Sequence, residues 1–298
     1  MRVKFEDNVY SDTIECWGIT VVIPRRHLFG RSKEERRKNI IKIINEKIEM
    51  ILPTIERDLG EICEIDVSLE SAWVRYYVFK IECFGEKGIK RYALNILSPN
   101  SPIDSFKRFE KIANDLILNF PNNVAKPIYI SDDTLLQEWI DGKPLSEFKD
   151  GDLIVDEEKA KKLIPMTTSL LYRFKKKNYV YTPWEDYEVM LKGNDLILLD
   201  LTRFKKTNLK DCDFFDFYFG VPFTQPYAIK GRDSFYWRGV SEKDYFGTNR
   251  RDYIRLFLLG VAMECENFEE FRNVCKFVVD DETVEELWAQ RRKLNIQS

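Results

Sequence analysis

Two carboxylates stand at the two ends of a β-hairpin predicted in the second half of the chain. Glu188 comes directly before one apolar run and Asp200 directly after the next, residues 189–191 and 196–199. The residues between the runs, Lys192-Gly-Asn-Asp195, predict a tight turn because glycine and asparagine tolerate positive φ. Two carboxylates held in this way can bind a hard cation such as Mg²⁺. Alternatively, Asp200 caps the turn that follows it.

Other catalytic side chains are few. Asp186 or Glu185, in the loop before the hairpin, could act as a general base toward a hydroxyl nucleophile. The single histidine, His27, follows two arginines and is interpreted as a surface or turn residue. The six cysteines form no Cys-x-x-Cys pair, so neither a zinc site nor a disulfide scaffold is predicted. Carboxylates are therefore the candidate catalytic and metal-binding groups.

Length and composition predict a folded protein with a sizeable core. The chain has 298 residues, of which 44% are hydrophobic and 33% charged. Its formal net charge of −3 favours neither nucleic acid nor an anionic membrane as partner. The polar N-terminus does not resemble a signal peptide, and the apolar run at 256–263 is too short to span a bilayer. We therefore expect a cytoplasmic protein.

Periodicity predicts an α+β fold. A strand at 16–23 is followed by a capping box at Ser32 and Glu35 and by an amphipathic helix that ends near Gly60. After it, strands and helices follow in the order βββ-α-ββ, then mainly helices around the hairpin. The predicted strands lie at 62–69, 74–83, 89–97, 124–130 and 134–140. One predicted helix begins at Asp104 or Ser105, and the others lie at 156–177, at 252–262, near 268–278 and near 283–292.

This order of elements resembles the protein kinase superfamily over about residues 62–265. The stretch Gln137-Glu-Trp-Ile-Asp-Gly-Lys-Pro-Leu145 resembles the hinge of kinases and small-molecule phosphotransferases. Laid on the kinase catalytic pattern, Asp200 takes the Asp of Asp-Phe-Gly, Glu188 the metal-binding Asn, and Pro183 the catalytic Asp. The resemblance implies a two-lobed kinase-like fold. Its predicted parts are an N-terminal extension at 1–60, a small β-sheet lobe at 61–142 and a larger, mainly helical lobe at 143–298.

The resemblance also implies a site for ATP and Mg²⁺. The hinge would bind adenine through the Glu138 carbonyl and the Ile140 N–H, with Gln137 at the back of the pocket. Asn95 takes the position of the strand lysine that binds phosphates, and the turn at 69–73 lacks the usual glycines. Glu188 and Asp200 would hold Mg²⁺.

The absence of the glycine-rich turn, of the strand lysine and of the catalytic Asp predicts a pseudokinase that binds a protein partner, with a nucleotide as a further ligand. An atypical phosphotransferase with Asp186 as base is the alternative, and a third possibility is an unrelated α+β protein. The aromatic run at 214–219 is either the partner surface or part of the core.

Overall fold

The structure is a computed structural model that describes residues 2–4, 11–16, 19–24, 33–72, 75–99, 101–150, 153–154, 157–182, 186–218, 250–276 and 278–294. It confirms the predicted α+β class and is compatible with a two-lobed fold. The chain divides into two compact units. The first consists of Met1–Pro121 and Ala125–Ile140, and the second of Asn122–Val124 and Asp141–Ser298. The three-part division expected from sequence stays a prediction.

The chain begins with three short strands, β1 (Arg2–Lys4), β2 (Ser11–Cys16) and β3 (Ile19–Pro24). β2 and β3 pair antiparallel as a hairpin, with Ile14 opposite Val21. The single strand predicted at 16–23 is therefore wrong at its start, because the chain turns back after Cys16. His27 and the predicted helix cap Ser32 lie outside the described residues.

Helix α1 (Lys33–Leu59) contains the predicted amphipathic stripe. Its residues Ile44, Ile48, Ile51, Ile55 and Leu59 are all buried. The helix ends at Leu59, and Gly60 follows with a φ of +75°, the left-handed conformation that glycine adopts most easily. Each large apolar side chain buried in this way contributes about 1.5–3 kcal/mol to folding, so the stripe attaches the helix firmly to the unit's core.

The first unit is built on a six-stranded sheet. Its further strands are β4 (Ile62–Ala72), β5 (Tyr76–Gly85), β6 (Gly88–Leu97), β7 (Pro127–Ile130) and β8 (Thr134–Glu138), in the spatial order β1-β4-β5-β6-β8-β7. β1 lies parallel to β4, and the other neighbours are antiparallel. The stripe of α1 shares one core with the inward residues of β4, β5, β6 and β8, which include Phe79, Leu94 and Leu136. α1 therefore packs on this sheet.

The predicted helix between the strands is confirmed. A 3-10 turn at Phe106–Phe109 leads into α2 (Glu110–Asn119). The Ser105 hydroxyl caps this start by accepting the N–H of Lys107 at 3.1 Å. The Phe106 ring lies 6.0 Å from that of Tyr76 on β5. With this helix in place, the predicted order βββ-α-ββ is the order observed in residues 62–138.

The second unit is mainly helical. Its helices are α3 (Glu157–Lys176), α4 (Asp211–Tyr218), α5 (Arg250–Glu264), α6 (Phe268–Cys275) and α7 (Asp281–Leu294). Its strands are short: β9 (Lys143–Pro144), β10 (Lys149–Asp150), β11 (Leu153–Ile154), β12 (Tyr179–Tyr181), β13 (Val189–Lys192), β14 (Asp195–Leu198) and β15 (Phe204–Lys206). α3 and α5 pack closely at Gly260, where an added Cβ would lie 2.4 Å from the Pro165 carbonyl oxygen.

The aromatic run predicted at 214–219 does not form an exposed surface in its described part. Phe214, Phe215 and Tyr218 are buried. The Phe214 ring meets Tyr172 edge to face at 5.2 Å, and Phe215 lies 5.7 Å from Phe257. The interpretation as a partner surface is wrong for these three side chains, because α4 turns them toward α3 and α5. In the part of the chain that the structure describes, no helix combines the length and apolarity that crossing a bilayer would need.

Candidate functional site

The hairpin predicted between the two carboxylates is confirmed. β13 pairs with β14 from Val189 opposite Leu198 to Lys192 opposite Asp195, and Gly193 has a φ of +62° in the turn. The register brings the start of β13 and the end of β14 together, so the N–H of Leu199 donates to the Glu188 carbonyl at 2.9 Å. Glu188 and Asp200 therefore stand at the same end of the hairpin.

A guanidinium group lies between the two carboxylates. Arg203 donates from Nη2 to Oε1 of Glu188 at 2.8 Å, and its Nε contacts the other Glu188 oxygen. The same Nε is 3.4 Å from Oδ2 of Asp200. The side chains of Glu188, Asp200 and Arg203 are only 14%, 3% and 6% exposed, so this is a largely buried ionic cluster.

Asp200 also caps the turn that follows it. Its Oδ1 accepts the N–H of Thr202 at 2.8 Å and the Thr202 hydroxyl at 2.7 Å. The 3-10 turn Leu201–Arg203 starts at this cap and places the Arg203 side chain beside the carboxylates. The capping role that the sequence left open is thus the one observed, and the cap positions the arginine.

The cluster holds Arg203 in its charged form. Burial alone would lower the pKa of the guanidinium, but the hydrogen bond and charge of Glu188 outweigh it, with smaller contributions from Tyr181 and Asp200. The net effect raises the pKa of Arg203 above its ordinary value. The Tyr181 hydroxyl lies 3.3 Å from Oε2 of Glu188 and completes the cluster.

The arrangement as it stands fits a guanidinium rather than Mg²⁺. Mg²⁺ requires near-octahedral oxygen ligands at about 2.0–2.1 Å, whereas both carboxylates here are turned toward Arg203. No group of three or more acidic, histidine or cysteine side chains suited to a metal occurs among the described residues. Metal binding by Glu188 and Asp200 stays a prediction that requires Arg203 to move away.

The proposed base lies in the turn that leads into β13. Asp186 begins the 3-10 turn Asp186–Glu188, but the position of its side chain is not among those described. Pro183 and Glu185 lie outside the described residues. A catalytic role for Asp186 therefore stays a prediction.

The predicted nucleotide-binding residues lie in the first unit. Asn95 on β6 and Gln137 on β8 are both buried, and the Asn95 amide donates to the Leu135 carbonyl at 3.4 Å. Asn95 is opposite Leu135 and Ala93 is opposite Gln137, so the two amide side chains are diagonal neighbours on one face of the sheet. The structure thus brings Asn95 and Gln137 together.

The two residues predicted to bind adenine, Glu138 and Ile140, follow Gln137 in the chain. Glu138 ends β8 and exchanges two contacts with Lys126: the Glu138 N–H donates to the Lys126 carbonyl, and the Lys126 N–H donates to the Glu138 carboxylate, each at 2.9 Å. Ile140 is buried just beyond the strand. These contacts fix the backbone at Glu138, while adenine binding by Glu138 and Ile140 stays a prediction.

Sequence reasoning missed two charged residues in these groups. Lys80 on β5 is opposite Ala93, so it shares the sheet face of Asn95 and Gln137, and its Nζ lies 5.4 Å from the centre of the Trp139 ring. Strand alternation around Asn95 would have found Lys80 once the register of β5 and β6 was known. Arg203 could have been found from its spacing, since it lies three residues after Asp200 in one turn.

The chain is similar to a known protein over almost its whole length. The chain is 41% identical over 279 residues to an uncharacterized protein of Archaeoglobus fulgidus, and the match covers 91% of this chain and 94% of that protein. No family model matches the sequence. Among solved structures, the Mycobacterium tuberculosis protein Rv3197 in complex with erythromycin is similar with a TM-score of 0.39 and 11% identity. That match covers 47% of this chain and 46% of the other, an extent that identifies neither fold nor function.

Proposed function

We propose that this chain, which belongs to the same protein family as the Archaeoglobus fulgidus relative, is a catalytically impaired kinase-like protein that acts by binding a protein partner. The observation that carries the proposal is the position of Arg203 between Glu188 and Asp200. In a kinase, the acid at the end of this hairpin holds Mg²⁺ against the phosphates of ATP. Here that acid, Asp200, already shares Arg203 with Glu188 as a common counter-ion.

Replacing the arginine by a metal ion would be costly. A largely buried pair that loses one partner is destabilised by about 3–5 kcal/mol, because the remaining charge has left water without compensation. Mg²⁺ would have to offset this cost and also its own dehydration, which is slow and unfavourable. The kinase-like role proposed here is therefore one without efficient phosphoryl transfer.

The order of elements supports the kinase-like part of the proposal. In residues 62–138 it is βββ-α-ββ, and the second unit contains the long helix α3, the short strand β12 and the hairpin β13–β14, which is followed by Asp200. This is the order of elements on which the resemblance to the protein kinase superfamily rests. The additional helix α1 covers one face of the sheet through its apolar stripe.

The other face of the same sheet supports a nucleotide as a second ligand. Lys80, Ala93 and Gln137 form one row across three strands, and Asn95 lies beside them. A lysine ammonium can pair with a phosphate, and side-chain amides can donate to phosphate oxygens. Lys80 would supply the positive charge that Asn95 lacks at its own position.

The catalytic part is tested by measuring ADP formation and phosphate transfer with ATP and Mg²⁺. We expect the wild type and Asp200→Asn to give the same background. Turnover in the wild type that Asp200→Asn abolishes would contradict the proposal.

The nucleotide part is tested separately by thermal unfolding with and without ATP. We expect ATP to raise the unfolding temperature of the wild type and of Lys90→Met but not of Lys80→Met. Lys90 is a suitable control because it belongs to the same sheet but pairs with Asp58 on α1 at 2.6 Å. If Lys80→Met retains the full shift, the sheet face around Lys80 is not the nucleotide site.

An ATP-dependent phosphotransferase is the second candidate function, and Lys80 is the observation that favours it. A relocated lysine would restore one of the charged groups that the sequence pattern lacks. This candidate requires turnover that depends on Asp186, Glu188 and Asp200 together. Intact turnover in Asp186→Asn would remove Asp186 from the mechanism.

A further inference from the structure

A small cavity lies in the second unit at the turn end of the hairpin β13–β14. Its volume is about 180 Å³, and its walls come from α3, α5, the hairpin turn with the start of β14, and Asn123. The cluster of Glu188, Asp200 and Arg203 lies at the open end of the same hairpin. Pockets for drug-sized ligands usually enclose about 300–1,000 Å³, so this cavity suits a smaller molecule.

Hydrogen bonds between separate segments fix the walls of this cavity. The Asn123 amide donates to the Leu196 carbonyl at 2.9 Å, and the Leu198 N–H donates to the Asn123 carbonyl at 2.9 Å. Lys162 on α3 donates from Nζ to Oδ1 of Asn194 in the hairpin turn at 3.0 Å. Because α3, the hairpin and the segment at Asn123 are joined in this way, the cavity is preorganised for a ligand.

One part of the wall is apolar. Met166 and Leu170 lie four residues apart on one face of α3, and Leu196 on β14 and Met263 on α5 add to the same lining. Methionine side chains are flexible and fill irregular gaps, so they adapt to apolar groups of different shape. This part of the cavity fits an aliphatic side chain.

The same face of α3 presents Ser169 and Arg173 to the cavity. The Arg173 Nε lies 3.6 Å from Oε1 of Glu264, which is longer than a hydrogen bond, and it is buried with no hydrogen-bond partner among the described residues. The same Glu264 oxygen accepts the Ser169 hydroxyl, and Glu264 does not line the cavity. Arg173 therefore has donors available for a carboxylate, which a guanidinium can bind at two points.

A negative charge and two side-chain amides lie on the other walls. Asp195 lines the cavity at the start of β14. The Asn194 oxygen already accepts from Lys162, so its NH₂ group remains to donate, whereas Asn123 already donates to β14, so its oxygen remains to accept. Arg173 with Asn194 can thus bind a carboxylate, while Asp195 with Asn123 can bind an ammonium group.

We infer that this cavity binds a free α-amino acid with an aliphatic side chain. Such a ligand carries one carboxylate, one ammonium group and one apolar side chain, which match the three kinds of wall. A simple anion would meet Asp195 without a positive charge of its own, and an uncharged apolar ligand would cover Arg173 and Asp195 without bonding to them. This ligand is neither the nucleotide nor the protein partner of the proposed function.

The test is calorimetric titration of the full chain with L-leucine. We expect the wild type to bind leucine, and Arg173→Gln and Asp195→Asn each to bind it about tenfold less tightly or worse, because each loses one charge-assisted contact. The matched controls are Arg272→Gln and Glu285→Gln, which remove the same charges at exposed positions of α6 and α7 and should bind leucine like the wild type. Circular dichroism and unfolding temperature establish that all four variants are folded.

Two leucine analogues test the same charges on the unmodified chain. Isocaproate lacks the ammonium group, and isoamylamine lacks the carboxylate. We expect both to bind the wild type about tenfold less tightly than leucine or worse, because each leaves Asp195 or Arg173 without its partner.

Four outcomes would overturn the inference. These are no leucine binding by the wild type, full affinity in folded Arg173→Gln and Asp195→Asn, equal weakening in the control variants, or an analogue that binds as tightly as leucine. The last outcome would assign the cavity to a simple carboxylate or a simple amine.

Discussion

Arg203 and Glu188 form a two-point contact at the open end of the hairpin. The Nη2–Oε1 distance is 2.8 Å, and Nε contacts the second carboxylate oxygen. Two parallel contacts between a guanidinium and a carboxylate fix both distance and orientation. Because Asp200 approaches the same Nε at 3.4 Å, one cation serves two acids.

Removal of the Arg203 charge should destabilise the protein strongly. In Arg203→Met, two largely buried carboxylates would face each other without a cation, which costs about 3–5 kcal/mol of unfolding free energy. Urea unfolding at neutral pH measures the loss. The control is Arg272→Met, whose exposed pair with Asp281 at 3.1 Å should contribute much less. Equal losses in the two variants would show that the Arg203 cluster is not an important source of stability.

Mg²⁺ should bind at the hairpin only when the arginine is absent. In Arg203→Ser, the free carboxylates of Glu188 and Asp200 can ligate a hard cation, so Mg²⁺ should raise the unfolding temperature in proportion to the logarithm of its concentration. The wild type should show no comparable rise, and Arg203→Ser with Asp200→Asn should lose it. A wild type stabilised by Mg²⁺ as strongly as the single variant would contradict the assignment of Arg203 as the resident cation.

Asp58 on α1 should make stability depend on pH on the acid side. The hydrogen bond from Lys90 holds the pKa of Asp58 below its ordinary value of 3.8, with burial opposing and the Lys90 charge and the Tyr92 hydroxyl adding to the shift. A carboxyl group whose pKa is lowered on folding stabilises the protein above its unfolded pKa and loses that contribution as the pH falls through its folded pKa. The difference in unfolding free energy between wild type and Asp58→Asn should therefore be present at pH 7 and shrink below about pH 4.

The control for the loss of one exposed negative charge is Glu285→Gln, which lies on α7 in the other unit. A wild-type advantage over Asp58→Asn that is unchanged between neutral and strongly acidic pH would assign the effect to packing of α1 rather than to the charge of Asp58.

Gly260 should be intolerant of even one added methyl group. In Gly260→Ala the new Cβ would lie 2.4 Å from the Pro165 carbonyl oxygen and 2.8 Å from Thr168 Cβ. Because these are backbone and buried atoms, α3 and α5 must separate, and overpacking of this kind costs about 1–3 kcal/mol. Chemical denaturation measures the change. Gly193→Asn is the control, since its turn has open space and asparagine tolerates a positive φ. A neutral Gly260→Ala would mean that the two helices are less closely packed than described.

The local elements were largely predictable from the sequence. The stripe from Ile44 to Leu59 required a helix on an apolar surface, the order βββ-α-ββ followed from alternating and helical periodicities, and Gly193 with Asn194 required a tight turn. These features depend on residues within a few positions of one another. The strand at 16–23 was misjudged because its apolar residues suggested one continuous strand, whereas Gly18 follows Cys16 closely enough to have indicated the reversal.

The tertiary structure decided which charges meet. Glu188 and Asp200 could be paired from the hairpin, but the orientation of Arg203 depends on the cap that Asp200 forms with Thr202. Lys80 joins Asn95 and Gln137 only through the register of three strands, and Phe174 meets Phe204 only because α3 packs beside β15. Periodicity reports which side of an element is apolar, whereas contacts between side chains distant in sequence depend on how separate elements pair and pack.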